Sequence, residues 1–233
     1  MLPFMPARFG SLAAYAPAGG GSPSVAVDVV GTELYHASSG STNFNYTGLT
    51  ITAALTNPAL ICTIFRADGS NDVEAGIAVT WNGVSMTLLK KQDASFPQQS
   101  AFIFGLRNPA SGNKTLNVSA TNTAADNFVN CVSFSNVNQA SDGAAFPNVA
   151  GQVTGSGTGA TLSVTSASGH IVVGVFEANS GPTLLGSTIF YDNVNGSLQN
   201  VYADYVVSSG TTTTVGTTAP ASVTAIAGCD ISN

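Results

Sequence analysis

From residue 25 onward, apolar side chains recur at every second position in short runs. In Gly76–Trp81 the residues Ile77, Val79 and Trp81 share one side, and in Val84–Leu88 the residues Val84, Met86 and Leu88 do the same. This period of two marks strands that bury one face. Other runs, such as Ala59–Phe65, are apolar on both sides, as expected for the middle of a sandwich or for a strand also covered by a partner. The pattern predicts strands at Ser24–Val30, Leu49–Leu55, Ala59–Arg66, Gly76–Trp81, Val84–Lys90, Ser100–Arg107 and Lys114–Thr121. It continues with Phe128–Ser135, Ala160–Thr165, His170–Ala178, Thr188–Asp192, Val201–Val207 and Ser222–Ala227. Gly, Asn, Asp, Pro and Ser clusters separate them. Asn82-Gly83 between two alternating runs is a type I′ hairpin turn, and Pro109 starts a second turn at Asn108–Gly112. No sustained helical period exists; Asn122–Asn127 is at most one turn. Thr211–Thr214 reads as a hairpin tip or edge.

These elements imply an all-β fold, a two-sheet antiparallel sandwich of jelly-roll-like form, spanning residues 25–233. Residues 1–24 form an extended N-terminal arm that ends in Gly19-Gly20-Gly21-Ser22-Pro23, a flexible linker composition. The arm carries Leu2, Phe4, Met5, Phe9, Leu12 and Tyr15, more apolar side chains than a solvated tail needs, which makes these six the candidate partner contacts. As a signal peptide the segment fits poorly. No basic residue precedes its apolar part, Pro3 and Pro6 interrupt it, and Arg8 lies in its middle. It is expected to remain uncleaved on a chain made in a cytoplasm.

Composition narrows the chemistry. Charged residues make up only 8% of the 233 residues, against about a quarter in ordinary globular chains, so few groups are left for acid–base or metal work. The net charge of −6 comes with only six scattered Lys and Arg residues. Without a basic stripe, neither nucleic acid nor an anionic membrane is an expected partner. Cys62 and Cys131 sit inside apolar runs and are expected as buried thiols; a disulfide, or an intermolecular link through Cys229, are the alternatives. His36 and His170 lie in ordinary loop and strand-edge settings, and neither Gly155-Ser156-Gly157 nor Gly40-Ser41 builds a nucleophile elbow. No carboxylate pair stands out among Asp126, Asp142, Asp192, Asp204 and Asp230.

Two candidate sites remain. Asp68, Ser70, Asp72 and Glu74 alternate oxygen-bearing side chains in one loop, a weak calcium candidate that lacks the glycine position and distal Glu of an EF-hand; a solvated loop is the expectation. Trp81, Phe44, Tyr46, Tyr191, Tyr202 and Tyr205 could form a sugar-stacking platform, with core packing as the competing reading.

The order of several segments resembles a β-sandwich domain of bacterial and bacteriophage proteins. The segments are Val79–Thr87 (VTWNGVSMT), Ala101–Gly112 (AFIFGLRNPASG), Thr115–Ser119 (TLNVS) and Cys131–Gln139 (CVSFSNVNQ), followed by Ser166–Val175 and Ala203–Val207. Asn136 stands where that pattern has Gly, and the last strand lacks its Trp. The resemblance implies a structural or adhesive role and no catalytic residues. With its arm, low charge and Thr/Gly/Ser loops, the chain also resembles capsid decoration and head-fibre proteins of phage. The expected function is therefore a non-enzymatic virion protein without cofactor, a cement protein on the capsid exterior. It would contact the major capsid protein and its own copies, as a homotrimer. The alternative is a module of a tail fibre or adhesin that binds a surface glycan. A hydrolase on a sandwich scaffold ranks third.

Overall fold

The computed structural model describes residues 23–37, 43–67, 76–95, 98–120, 125–155, 157–178, 182–193, 200–220 and 224–233. The first half of the chain forms β1 (Ala26–Val30), β2 (Leu34–His36), β3 (Asn43–Tyr46), β4 (Thr50–Ile51), β5 (Ala59–Ala67), β6 (Ile77–Trp81) and β7 (Val84–Ser85). It continues with β8 (Thr87–Ser95), β9 (Gln98–Arg107), β10 (Gly112–Asn113), β11 (Leu116–Ala120) and β12 (Asp126–Ser135). After a one-turn helix, α1 (Asp142–Ala145), the second half forms β13 (Val149–Thr154), β14 (Gly159–Thr165), β15 (Ile171–Ala178), β16 (Ser187–Asn193), β17 (Asn200–Val207), β18 (Thr212–Pro220) and β19 (Thr224–Ile231).

The fold is all-β; among the described residues every pairing between strands is antiparallel and no sheet closes on itself. The described strands divide among five sheets, where the sequence pattern suggested two. Sheet I has the order β3-β11-β6-β7, and sheet II the order β1-β12-β5-β9-β8, with β2 also on β12. Sheet III runs β13-β19-β15-β17-β16, sheet IV pairs β14 with β18, and β4 pairs with β10.

Three apolar clusters fix how these sheets stack. Leu60, Cys62 and Ile64 of β5 meet Val79 and Trp81 of sheet I in the first cluster. Ala59, Ile61 and Phe65 of the same strand meet Val173, Val175 and Ala227 of sheet III in the second. Val172 and Phe176 of sheet III meet Leu162 and Val215 of sheet IV in the third. The layers therefore follow the order I, II, III, IV, and the two central sheets are covered on both faces. That is why β5, β15 and β19 are buried at every position and read as apolar on both sides. The second cover of β5 is the other half of its own chain.

Small residues set the spacing at the centre. Ala59, Ala101, Ala225 and Ala227 line the contact between sheets II and III. They let β19 approach β8 and β9 to within 8 Å between Cα atoms, closer than the roughly 10 Å of ordinary stacked sheets. At the outer faces the side chains are short and uncharged. Sheet I turns Asn43, Asn45, Asn117 and Thr80 outward, with the Asn117 amide donating to Asn45 Oδ1 at 3.0 Å. Sheet IV turns Thr161, Ser163, Thr212 and Thr214 outward, with Ser163 and Thr214 hydroxyls 3.1 Å apart.

Several predicted elements shift. Within Leu49–Leu55 only Thr50–Ile51 pairs as a strand. Asp126 and Asn127, read as part of a turn, begin β12. Thr212–Thr214 begins β18, an edge strand paired with β14, so of the two readings, tip or edge, the edge holds. His36 lies in β2, its ring stacked 4.2 Å from Phe44. The expected Asn82-Gly83 hairpin is present, with both residues at positive φ (49° and 79°).

Candidate functional site

The junction between the two halves carries a cleft of about 250 Å³, lined by Pro23, Asn57, Asn136, Val137, Asn138, Gln139 and Asn233. Amide side chains dominate this wall, and none of its side chains is charged. Each segment is held by backbone hydrogen bonds. Asn57, in the connection from β4 to β5, accepts at its carbonyl from Val137 N at 3.0 Å. Asn136, just beyond β12, bonds to Thr56 O at 2.8 Å, and Asn138 N bonds to Ser232 O at 2.8 Å. Asn57 and Asn136 both adopt left-handed backbone conformations, φ 47° and 61°. Asn accepts this region more readily than other side chains because its short amide bonds locally.

The connection out of β12 is pinned from behind. Arg107 Nη1 donates to Gln139 O at 2.6 Å, and its Nε donates to Asp142 Oδ1 at 2.6 Å. This guanidinium, together with the Thr87 hydroxyl, lowers the Asp142 pKa. Asp142 opens α1, whose N-cap Ser141 accepts from Ala144 N at 3.0 Å.

The amides are each half used. Asn136 Nδ2 donates to Ser24 O at 3.1 Å, and Asn138 Oδ1 accepts from Ala140 N at 3.0 Å. Gln139 Nε2 donates to Pro58 O and Val137 O, while its Oε1 is buried and accepts nothing.

Beside this cleft, past Gly169 and Ser24, lies a histidine–carboxylate pair. His170 Nδ1 is 3.0 Å from Asp230 Oδ2, which also accepts from Asn148 Nδ2 at 3.3 Å. Burial raises the Asp230 pKa, and the His170 contact opposes that rise. The nearby hydroxyls of Ser166, Ser208 and Thr213 bond to one another at 2.8 Å, and none of them is bonded to His170 through its hydroxyl. His170 is thus oriented by a carboxylate, with no hydroxyl bonded to its ring among the described residues.

Two more buried carboxyls stand alone. Glu177, on the sheet III face toward sheet II, accepts from the Gln99 amide, and burial pushes its pKa up to about 7. Asp204, on the face toward sheet IV, accepts from Gly216 N at 2.9 Å and is likewise pushed up to about 7 by burial. Each has its own partners, and they form no shared acidic site. Among the described residues no group of three His, Cys, Asp or Glu side chains is placed to hold a metal ion.

The sequence candidates fare unevenly. Leu2, Phe4, Met5, Phe9, Leu12 and Tyr15, and the loop with Asp68, Ser70, Asp72 and Glu74, lie outside the described residues. Of the aromatic candidates, Trp81, Phe44, Tyr46 and Tyr202 are buried in the cores, and Tyr205 packs against one. The Tyr191 side chain is outside the described residues. Packing, not a sugar platform, accounts for those five. All three cysteines are free and buried. No protein-family model, curated protein or solved structure matches this chain. The amide cleft went unseen in the sequence because its residues come from positions 57, 136–139 and 233. The one local signal was Asn at strand ends that need positive φ.

Proposed function

We propose that this chain is a non-enzymatic structural protein of a bacteriophage particle, a decoration protein on the capsid exterior. The observation that carries this reading is the pair of outer faces. Sheets I and IV present ladders of Asn, Ser and Thr with no charged side chain on the outward strand positions named above. Short side chains lose little rotamer entropy when covered, and uncharged ones carry no ion-desolvation cost. Such faces suit many weak contacts with a shell. The two central layers are sealed inside, which leaves a rigid body to be carried by those contacts. The reading draws on this stack and does not depend on a jelly-roll-like strand order.

In this proposal the arm, through Leu2, Phe4, Met5, Phe9, Leu12 and Tyr15, reaches a neighbouring subunit, either the major capsid protein or another copy in a homotrimer at a threefold position. The protein is made in the host cytoplasm and adds to the assembled head. Electron cryo-microscopy of intact particles tests this directly. Density for the stacked sheets on the head surface is the expected result, and a chain confined to the cell envelope with no virus present overturns it. Assembly unchanged after deletion of residues 1–21 removes the role of the arm.

The second reading, a glycan- or cell-surface-binding module of a tail fibre or adhesin, is favoured by the amide-lined cleft. Particle images separate it from decoration by placing the chain on the tail or on the head.

A further inference from the structure

We infer that the amide-lined cleft between the halves binds a neutral saccharide, through hydrogen bonds between Asn57, Asn136 and Asn138 and the ligand hydroxyls. The inference does not require a head or a tail location. It rests on how the amides are used.

One end of each amide in the β12–α1 connection is fixed by backbone, so the side chain is oriented before any ligand arrives. Asn136 and Gln139 spend their N–H groups on main-chain carbonyls and leave oxygens. Asn138 spends its oxygen on Ala140 N and leaves a donor. The wall thus offers an acceptor at Asn136 Oδ1 and a donor at Asn138 Nδ2, each held at a fixed position.

Charge selects the ligand class. A carboxylate or phosphate ligand would lose its hydration against a wall with no basic side chain. An apolar ligand would strand the amides. Hydroxyls both donate and accept, as this mixed wall requires. The volume, about 250 Å³, falls below the range of drug-sized pockets and matches a ligand of about one sugar ring. The aromatic stacking common in sugar sites is absent from the residues lining this cleft, so binding is of millimolar strength, set by a few hydrogen bonds.

The test follows the side-chain amide resonances of the full chain by NMR during titration with glucose, galactose, mannose and N-acetylglucosamine, with glycerol as the control. Saturable shifts at Asn57, Asn136 and Asn138 with at least one sugar, and none with glycerol, are expected. Asn57→Gly removes one amide while keeping the left-handed backbone that Gly favours, so the fold is retained. Asn138→Asp keeps the acceptor for Ala140 N and removes the donor. Each variant weakens binding about fivefold or more, the effect of one lost hydrogen bond. Absence of shifts with all four sugars, shifts elsewhere on the surface, an equal response to glycerol, or undiminished binding in both variants overturns the inference. None of these outcomes bears on where the chain sits in a particle.

Discussion

The Glu177 carboxyl and the Gln99 side-chain amide are hydrogen-bonded across the contact between sheets II and III, where both side chains are buried. Gln99 Oε1 is buried and accepts no hydrogen bond. Burial raises the Glu177 pKa from 4.5 to about 7. The folded state therefore holds a proton that the unfolded chain releases above pH 4.5. The stabilisation is fully present below pH 4.5 and is lost as the pH rises to about 7. Asp204 behaves in the same direction, from 3.8 to about 7. Each pH unit in that window removes up to about 1.4 kcal/mol per group. The urea midpoint is expected to be lower at pH 8 than at pH 5, and Glu177→Gln with Asp204→Asn flattens the difference. A midpoint that rises with pH across this window contradicts the assignment.

Gly216 holds the turn of backbone that brings its N–H to Asp204. Its φ is +107°, and an added Cβ would lie 1.8 Å from Ala160 O, on the neighbouring strand β14. Neither the angle nor the main-chain neighbour yields cheaply. Gly216→Ala is expected to lower unfolding free energy by about 2–4 kcal/mol, measured by urea denaturation at fixed pH. A loss smaller than experimental error means that the backbone of β18 relaxes freely there.

Strand existence was legible wherever apolar residues alternated or ran together, as in β5, β6, β12 and β15. The two-sided burial of Ala59–Phe65 was legible as well, but not its cause. A sequence period shows that a face is covered and is silent on whether a partner chain or a distant segment covers it. β13 was missed because Val149 and Val153 are exposed and Gly151 sits under Lys90 and Gln92, leaving no buried alternation to read. β18 was missed because its inward positions Thr213 and Thr217 are polar and only Val215 carries the apolar signal. The cleft was not legible, since its amides meet only after β12 returns beside the start of β5.

Trp81 is the only tryptophan of the chain and is fully buried between sheets I and II, with Nε1 donating to Ala110 O at 2.9 Å. Its emission is expected to be blue-shifted in the native protein and to move red on unfolding. Trp81→Phe removes both the hydrogen bond and ring volume, leaving the Ala110 carbonyl without that donor, for a loss of about 2–3 kcal/mol. Native emission already at the wavelength of free tryptophan rules out this packing.

Cys62 and Cys131 sit directly opposite each other on β5 and β12, both facing sheet I. Both are free, and both are fully buried. Burial, with Cys62 beside it, raises the Cys131 thiol well above its ordinary value, and burial likewise raises Cys229. The thiolate is the reactive form, so a raised pKa and lack of access act in the same direction. An aromatic disulfide reagent is expected to leave all three thiols unmodified in the native protein at pH 8 and to label three per chain in denaturant. Because labelling then requires opening of the stack, its native rate should fall with added stabiliser in step with the unfolding free energy. Two labels per chain in denaturant under non-reducing conditions would instead fail to fit a free trio, and one label would indicate a disulfide between two of the three, for which Cys62 and Cys131 are the pair facing each other across strands.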